Sequence, residues 1–405
     1  MDRLPSLSSA DWLFTSDVQA LFNLIEVDGD SLCAVGGCVR NALLGQPITD
    51  IDFATTARPD VVMKRCKAGG LRVVPTGIDH GTVTVISNGQ TYEVTTLRHD
   101  AEPDGRRAKV RFGQDWREDA LRRDFTMNAL YVDRTGRVHD YVGGYQDLEA
   151  RKVRFIGTAA DRIREDYLRI LRFFRFSAQY GDLQLDPAGL RACVEERAGL
   201  ERLSAERIQQ EMKKLMAAPN MAHVVRIMGD AGILDALVPL PAHTLNLARL
   251  ASWFHETGRQ SDPLAGLTCL WCRTVEDTAV LSKRLRLSKK DTVLMRAGVL
   301  VADNRLDDGE DLWKRLLYQH GRESFSLGLD LWLARQEDEY SVPLMREAYR
   351  FACDFDIPVF PLSGKHLIAR GVNRGPDVGG TLQRLEDTWI ESGFRLTADD
   401  LILMI

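Results

Sequence analysis

The segment GTVTVISNGQTYEVTTLR, residues 81–98, alternates apolar and polar positions on both sides of Asn88 and Gly89. Successive side chains of a strand point to opposite faces, so a period of two marks a half-buried strand. Asn-Gly between two such runs predicts a tight hairpin. The rest of the first third mixes periods. LCAVGG is a short apolar run ending in glycine, a strand and a turn. CVRNALLG follows as a helix closed by Gly45, TDIDFATT reads as β, and RPDVVMKRCKAGG is a helix with a glycine stop. RHDAEPDGRRAKVRFGQDW is polar and poorly periodic, which predicts a mobile loop.

From about Arg151 the period changes to 3.6. AADRIREDYLRILRFFRFSAQYG, SAERIQQEMKKLMAA and NMAHVVRIMGDAGILDALV each set apolar residues on one helical face. Strand signals nearly vanish. SGKHLIARGVNRGPDVGGTLQRLEDTWIESG reads as a loop-rich junction before a last helical unit. The predicted class is α+β: a head of mixed sheet and helices, then an all-helical remainder.

Composition narrows the function classes. A chain of 405 residues exceeds one ordinary domain. A net charge of -5 excludes a general polyanion binder, so any nucleic acid must meet a local basic surface. No apolar run approaches the roughly 18 residues of a membrane span. MDRLPSLSSADWLF lacks the basic start and apolar core of a signal peptide. The seven cysteines are scattered, and the lone CLWC of Cys269 and Cys272 has no partners to complete a zinc set. Reduced thiols and a cytoplasmic location are expected.

Asp50 and Asp52 stand two apart in TDIDFATT, on one face of a strand. Adjacent carboxylates repel unless a cation holds them, and Mg²⁺ suits oxygen ligands completed by phosphates. Glu93 in TYEVTTLR is the candidate third carboxylate. Just upstream, Gly36 and Gly37 separate a strand from a helix, where backbone can approach phosphate. Arg40, one turn on, can fork onto phosphate oxygens. The G-x-G-x-x-G of a dinucleotide site is missing, which sets an oxidoreductase aside. Together these residues describe a triphosphate bound as its magnesium complex. In RRDFTMNALY, Arg122 and Arg123 can neutralise phosphates, while Asp124 and Asn128, four apart, would share a helical face and hold a ribose.

REDYLRILRFFRF places Asp166 and Arg169 three apart on a predicted helix face. A carboxylate accepts from an exocyclic amine, and a guanidinium donates to a ring nitrogen. Cytosine and adenine offer both. Guanine and uracil oppose like to like, leaving groups unpaired at roughly 1–3 kcal/mol each. Arg172 and Arg175 continue the row towards the phosphates, and Phe173, Phe174 and Phe176 pack the helix.

With these residues in place, the chain resembles the class II bacterial tRNA nucleotidyltransferases, the CCA-adding enzymes, and the related bacterial poly(A) polymerases. The resemblance rests on VGGCVRNALLG, TDIDFATT, YEVTTLR, EDALRRDFTMNALY, DYVGGYQDL, REDYLRILRFFRFSA and LSAERIQQEMKKLM, in the family's order over about the first half of the chain. It implies a polymerase-β-like nucleotidyltransferase head over 1–150. A helical neck over 151–220, a body over 221–340 and a tRNA-gripping tail over 341–405 would follow. It implies CTP, ATP and tRNA as substrates and Mg²⁺ on Asp50, Asp52 and Glu93; a monomer is expected, though the sequence itself does not fix the oligomeric state. By motif, Gly37, Arg40 and Arg123 look like triphosphate contacts, Asp124 like the ribose reader, and Asp166 with Arg169 like the base template. Arg172 and Arg175 would support the nucleotide. Asn41 stands where relatives commonly carry Asp, and is read as structural. The long 98–121 segment favours full CCA over CC-only addition. The chain lacks the GRRF segment and basic C-terminus usual in poly(A) polymerases.

Overall fold

In the computed structural model, which describes residues 4–78, 81–100, 110–336, 341–373 and 375–405, the Asn88-Gly89 hairpin forms as its alternation predicts. Both turn residues take positive φ, 47° and 80°, as that turn requires. Among the described residues the strands are β1 (Leu32–Val35), β2 (Ile51–Thr55), β3 (Arg72–Gly77), β4 (Thr82–Ser87), β5 (Gln90–Thr96), β6 (Arg98–Asp100), β7 (Val110–Phe112), β8 (Leu130–Val132) and β9 (Val138–Asp140). Seven of them build one mixed sheet in the order β3-β4-β5-β2-β1-β8-β9, and β6 pairs with β7 apart from it. Only the β2–β5 pairing in the sheet is parallel.

One face of the sheet carries Phe53, Tyr92 and Val94, all buried. It is covered by the helix Ser16–Ile25, whose Phe22 meets Phe53 edge-on at 5.7 Å, and by the helix Pro59–Ala68. The alternate residues Asp52 and Glu93 therefore face the other side, which is left for the site.

Two helices, Ala159–Glu165 and Leu168–Tyr180, replace the single one expected. Asp166 has extended backbone (φ -153°, ψ 105°) and breaks the run. Phe173, fully buried, stacks on Phe155 at 5.4 Å, and Phe155 packs on Phe125 at 4.9 Å. This aromatic column fixes the second helix to the sheet domain; burying one such ring stabilises by about 2 kcal/mol.

The 98–116 segment differs from its expected loop. Its described ends pair as β6 and β7, because Arg98 opposes Phe112 in register; residues 101–109 lie outside the described residues. The expected 363–393 junction is also largely helical, as Gly364–Ala369 and Pro376–Glu391. Leu367, Leu385, Trp389, Ile390 and Leu401 give that stretch its own apolar cluster.

The chain divides into two units, Met1–Leu203 and Ser204–Ile405. The second is helical throughout its described elements. A long helix, Glu310–Arg335, bends at Gly321 (φ 75°). Cys269 and Cys272, at the end of the helix Pro263–Trp271, are buried free thiols pushed up to about 12 by burial. Among the described residues no helix is long and apolar enough to cross a membrane.

Candidate active site

The site begins at a glycine. Gly36 leaves β1 with φ 77° and ψ -119° and caps the helix Gly37–Leu43. That backbone is open to glycine and strained for other residues. A Cβ there would sit 3.8 Å from Arg123 Nη1, so the turn and the guanidinium are neighbours.

Strand register then sets a row of side chains across the sheet. Tyr131 pairs with Val35, Val35 with Asp52, Asp52 with Glu93, and Glu93 with Thr84. Asp50 precedes β2 rather than lying in it, and its Oδ2 accepts from Thr49 Oγ1 at 3.1 Å. Asp52 keeps solvent access but is crowded by protein. Its carboxyl is pushed up to about 6, by burial first and then by the charge of Glu93; Asp50 adds to this and Arg123 opposes it. Burial disfavours the charged form, and neighbouring carboxylates in one cleft add to the same shift.

Arg123 is held over that row by Asp119, which the sequence reading did not single out. Asp119 is fully buried within the helix Trp116–Leu121. Its Oδ2 accepts Arg123 Nη2 at 3.0 Å and the Tyr131 hydroxyl at 2.8 Å, and its Oδ1 accepts Arg122 Nε at 2.7 Å. Burial alone would raise this carboxyl; the charges of Arg123 and Arg122 override it and hold it below the usual range. The signal was present as the i,i+3 and i,i+4 spacing of Asp119 to the two arginines.

Asp124 and Asn128 meet, but not on a helix. Residues Thr126–Asn128 form one short 3₁₀ turn. Asn128 Nδ2 still reaches Asp124 Oδ1, at 3.1 Å. Arg172 donates to Asp124 Oδ2 from Nε at 2.8 Å. Burial would raise Asp124; the Arg172 charge and the Asn128 and Phe125 hydrogen bonds hold it low.

Arg40 is buried and wholly among protein groups. It donates to Asn128 Oδ1, to Asn41 Oδ1 at 2.9 Å and to the Tyr180 hydroxyl at 2.7 Å. Asn41 clamps it from the other side while donating to Pro47 O at 2.9 Å. Phe176, read from sequence only as packing, lies beneath three guanidinium groups: Arg40 at 5.2 Å, Arg172 at 5.3 Å and Arg175 at 4.1 Å from its ring centre. Such stacking orients the cations.

Asp166 and Arg169 are close in sequence but differently engaged. Asp166 Oδ1 accepts from Leu168 N at 3.1 Å, capping the second helix. Arg169 Nη1 donates to Glu165 Oε2 at 2.6 Å and to the Arg162 carbonyl at 2.7 Å.

Comparison with known proteins gives this arrangement a context. The chain is 34% identical over 406 residues to CCA tRNA nucleotidyltransferase 1, mitochondrial, of Mus musculus, covering 97% of this chain and 90% of the relative. It belongs to the tRNA nucleotidyltransferase/poly(A) polymerase family. The CCA-adding enzyme of Streptococcus pyogenes serotype M3 is 34% identical over 363 residues, 88% of each chain. The crystal structure of the Bacillus stearothermophilus CCA-adding enzyme in complex with CTP superposes with a TM-score of 0.71 at 27% identity, over 93% of this chain and 94% of that one. The family model described as Poly A polymerase head domain matches residues 32–154, and that described as probable RNA and SrmB-binding site of polymerase A matches 182–245. The head match spans Gly36 through Asn128, so the row of carboxylates and its arginines lie inside the family's own segment.

For this nucleotidyltransferase, the fit of a divalent cation turns on the donor set. Asp52 and Glu93 offer oxygens from adjacent strands. Among the described residues no group of three histidine, cysteine or carboxylate side chains is gathered to hold a metal. Two carboxylates completed by substrate phosphates are a common magnesium set. The residues therefore fit a cation that arrives with a nucleotide, rather than a closed protein cage.

Proposed function

We infer that this chain is a CCA-adding enzyme: it adds C, C and A to the 3′ end of tRNA from CTP and ATP, releasing pyrophosphate. The observation that carries the reading is the Tyr131–Val35–Asp52–Glu93 row beneath Arg123, in a chain 34% identical to a CCA tRNA nucleotidyltransferase across nearly its whole length.

Each residue has a proposed part. Asp52 and Glu93, with Asp50 beside them rather than gathered into a set of three, would hold Mg²⁺ together with the substrate's phosphates, and the ion when bound activates the attacking hydroxyl and neutralises charge on the phosphates. Arg123, fixed by Asp119 and Tyr131, meets the triphosphate beside the Gly36–Gly37 turn. Arg40 acts by its charge and by holding Asn128. Asp124 and Asn128 take the ribose. Asp166 accepts the exocyclic amine of C or A, and Arg169 donates to the ring nitrogen once it turns from Glu165. Arg172 and Arg175 hold Asp124 and the nucleotide's edge.

The helical chain is proposed to divide further, into neck 151–220, body 221–340 and tail 341–405. The separate apolar cluster around Trp389 supports the last boundary. The single chain is the proposed working unit, because every proposed site residue lies between Gly36 and Arg175. The cytoplasm is the proposed compartment; six buried free thiols support a reducing one.

A poly(A) polymerase is the second reading, favoured by the head-domain match. One experiment separates them. Purified protein, Mg²⁺ and tRNA ending at the discriminator base are given CTP, ATP or both, and products are resolved to single nucleotides. The expected ladder stops at CC with CTP and at CCA with both. A halt at CC with both marks a partial-addition enzyme, and a long A ladder on any RNA marks a poly(A) polymerase.

A further inference from the structure

Arg162 lies outside every role assigned above, yet it is buried where the phosphate and base elements meet. Its Nη2 donates to the main-chain carbonyl of Arg123 at 2.8 Å and to that of Arg122. Its Nη1 donates to both oxygens of Glu165, at 2.6 and 2.5 Å. Glu165 in turn accepts Arg169 Nη1, and the carbonyl of Arg162 accepts the same nitrogen. The carbonyl of Arg122 lies 3.5 Å from Arg169 Nη2. Arg172, one helical turn further, holds Asp124.

We propose that Arg162 is a positioning residue that locks the phosphate-side strap Arg122–Asp124 to the base-reading Arg169, with Glu165 as the link, so that nucleotide selection depends on it. The proposal rests on the CCA-adding reading of the same site.

The chemistry suits arginine alone. Its planar fork donates in two directions at once, to carbonyls on one side and a carboxylate on the other. A lysine keeps the charge but not the fork. Glu165 has one carboxylate shared by two arginines, so the place of Arg169 depends on how Arg162 holds Glu165. The strap fixes the phosphate-binding side chain of Arg123, whose own backbone Arg162 grips. Small misplacements of such groups leave polar contacts to the nucleotide unmade, which costs affinity and selectivity.

The test uses the full chain with three variants: Arg162→Lys, Glu165→Gln and the double. CTP affinity is measured by calorimetry without tRNA, and the ratio of CTP and ATP to UTP and GTP incorporation is measured on tRNA. The lysine variant is expected to lose CTP affinity by about tenfold and selectivity by a similar factor, with kcat changed less. A purely structural arginine would lower the melting temperature and leave the selectivity ratio alone. Should Arg162→Lys fold poorly, Glu165→Gln carries the test, because the Glu165 side chain is 47% exposed. It is expected to shift the ratio in the same direction at unchanged melting temperature, and the double variant to add little to either single. Unchanged selectivity in Glu165→Gln, or in a well-folded Arg162→Lys, overturns the proposal. Failure of the wild-type ladder instead overturns the CCA-adding reading, while the calorimetry still reports on the lock.

Discussion

Both Nε and Nη2 of Arg172 converge on a single oxygen of Asp124, Oδ2, at 2.8 and 2.5 Å. The other oxygen is taken by the Phe125 amide and by Asn128. A carboxylate buried to this degree survives as a charge only because every lone pair has a donor.

Arg172→Met should therefore cost stability beyond lost packing. The expected loss is about 3 kcal/mol, the low end for breaking a buried pair, because Asp124 keeps two other donors. Urea unfolding of the variant against wild type measures it. A loss below about 1 kcal/mol would mean that the pair behaves as an exposed one.

Asp52→Asn tests the carboxylate row. Metal-assisted catalysis is worth several kcal/mol, so incorporation should fall on the order of 1,000-fold or more. tRNA affinity, followed by gel shift, should stay within about twofold of wild type, because Asp52 bears on chemistry and not on docking. Substantial turnover in this variant would remove Asp52 from the reaction.

Acid stability should depend on Asp119. Its folded carboxyl sits below the usual value and its unfolded one at it. The stability it supplies is thus present above the unfolded value and is lost as pH falls through the folded one. Wild type should lose stability steeply below about pH 4. Asp119→Asn should be less stable at neutral pH and show a flatter acid limb. Thermal melts between pH 2 and 6 decide; parallel curves would contradict the assignment.

Gly144 is expected to tolerate no side chain. A Cβ there would lie 2.1 Å from the Thr126 carbonyl oxygen, which is backbone and cannot swing aside. Gly144→Ala must displace the Thr126–Asn128 turn, and with it the amide that bonds both Asp124 and Arg40. A drop in melting temperature together with weaker CTP binding is expected. Calorimetry at a temperature where the variant is folded separates the two effects.

Legibility in the sequence followed the range of the interactions. The hairpin was readable because Asn-Gly and a period of two act locally. Asp52 and Glu93 could be guessed as partners from chemistry, but their adjacency rests on a parallel pairing whose strands are separated by a helix and two further strands. Asp166 was read onto a helix face, since periodicity runs through the break; only the backbone shows that it caps the helix instead. Nothing near Arg40 in sequence reveals Tyr180 or Asn128 as its partners. Phe176 was hidden for a related reason: an aromatic at helical spacing reports burial, not the three cations stacked over it.

The partners of Arg40 carry one last consequence. All are neutral: two carboxamides, a phenol and an aromatic face. Among the described residues no carboxylate is hydrogen-bonded to it, and Asp124 acts on its charge only from a distance, so part of its field reaches outward over the cleft. An incoming polyanion is drawn in before any hydrogen bond forms, and ionic strength sets how far that pull extends. Capture of nucleotide should then slow as salt is added, while its escape is largely indifferent to salt. A carboxylate at position 41, directly bonded to Arg40, would weaken that distant attraction and leave the remaining arginines of the cleft to supply it.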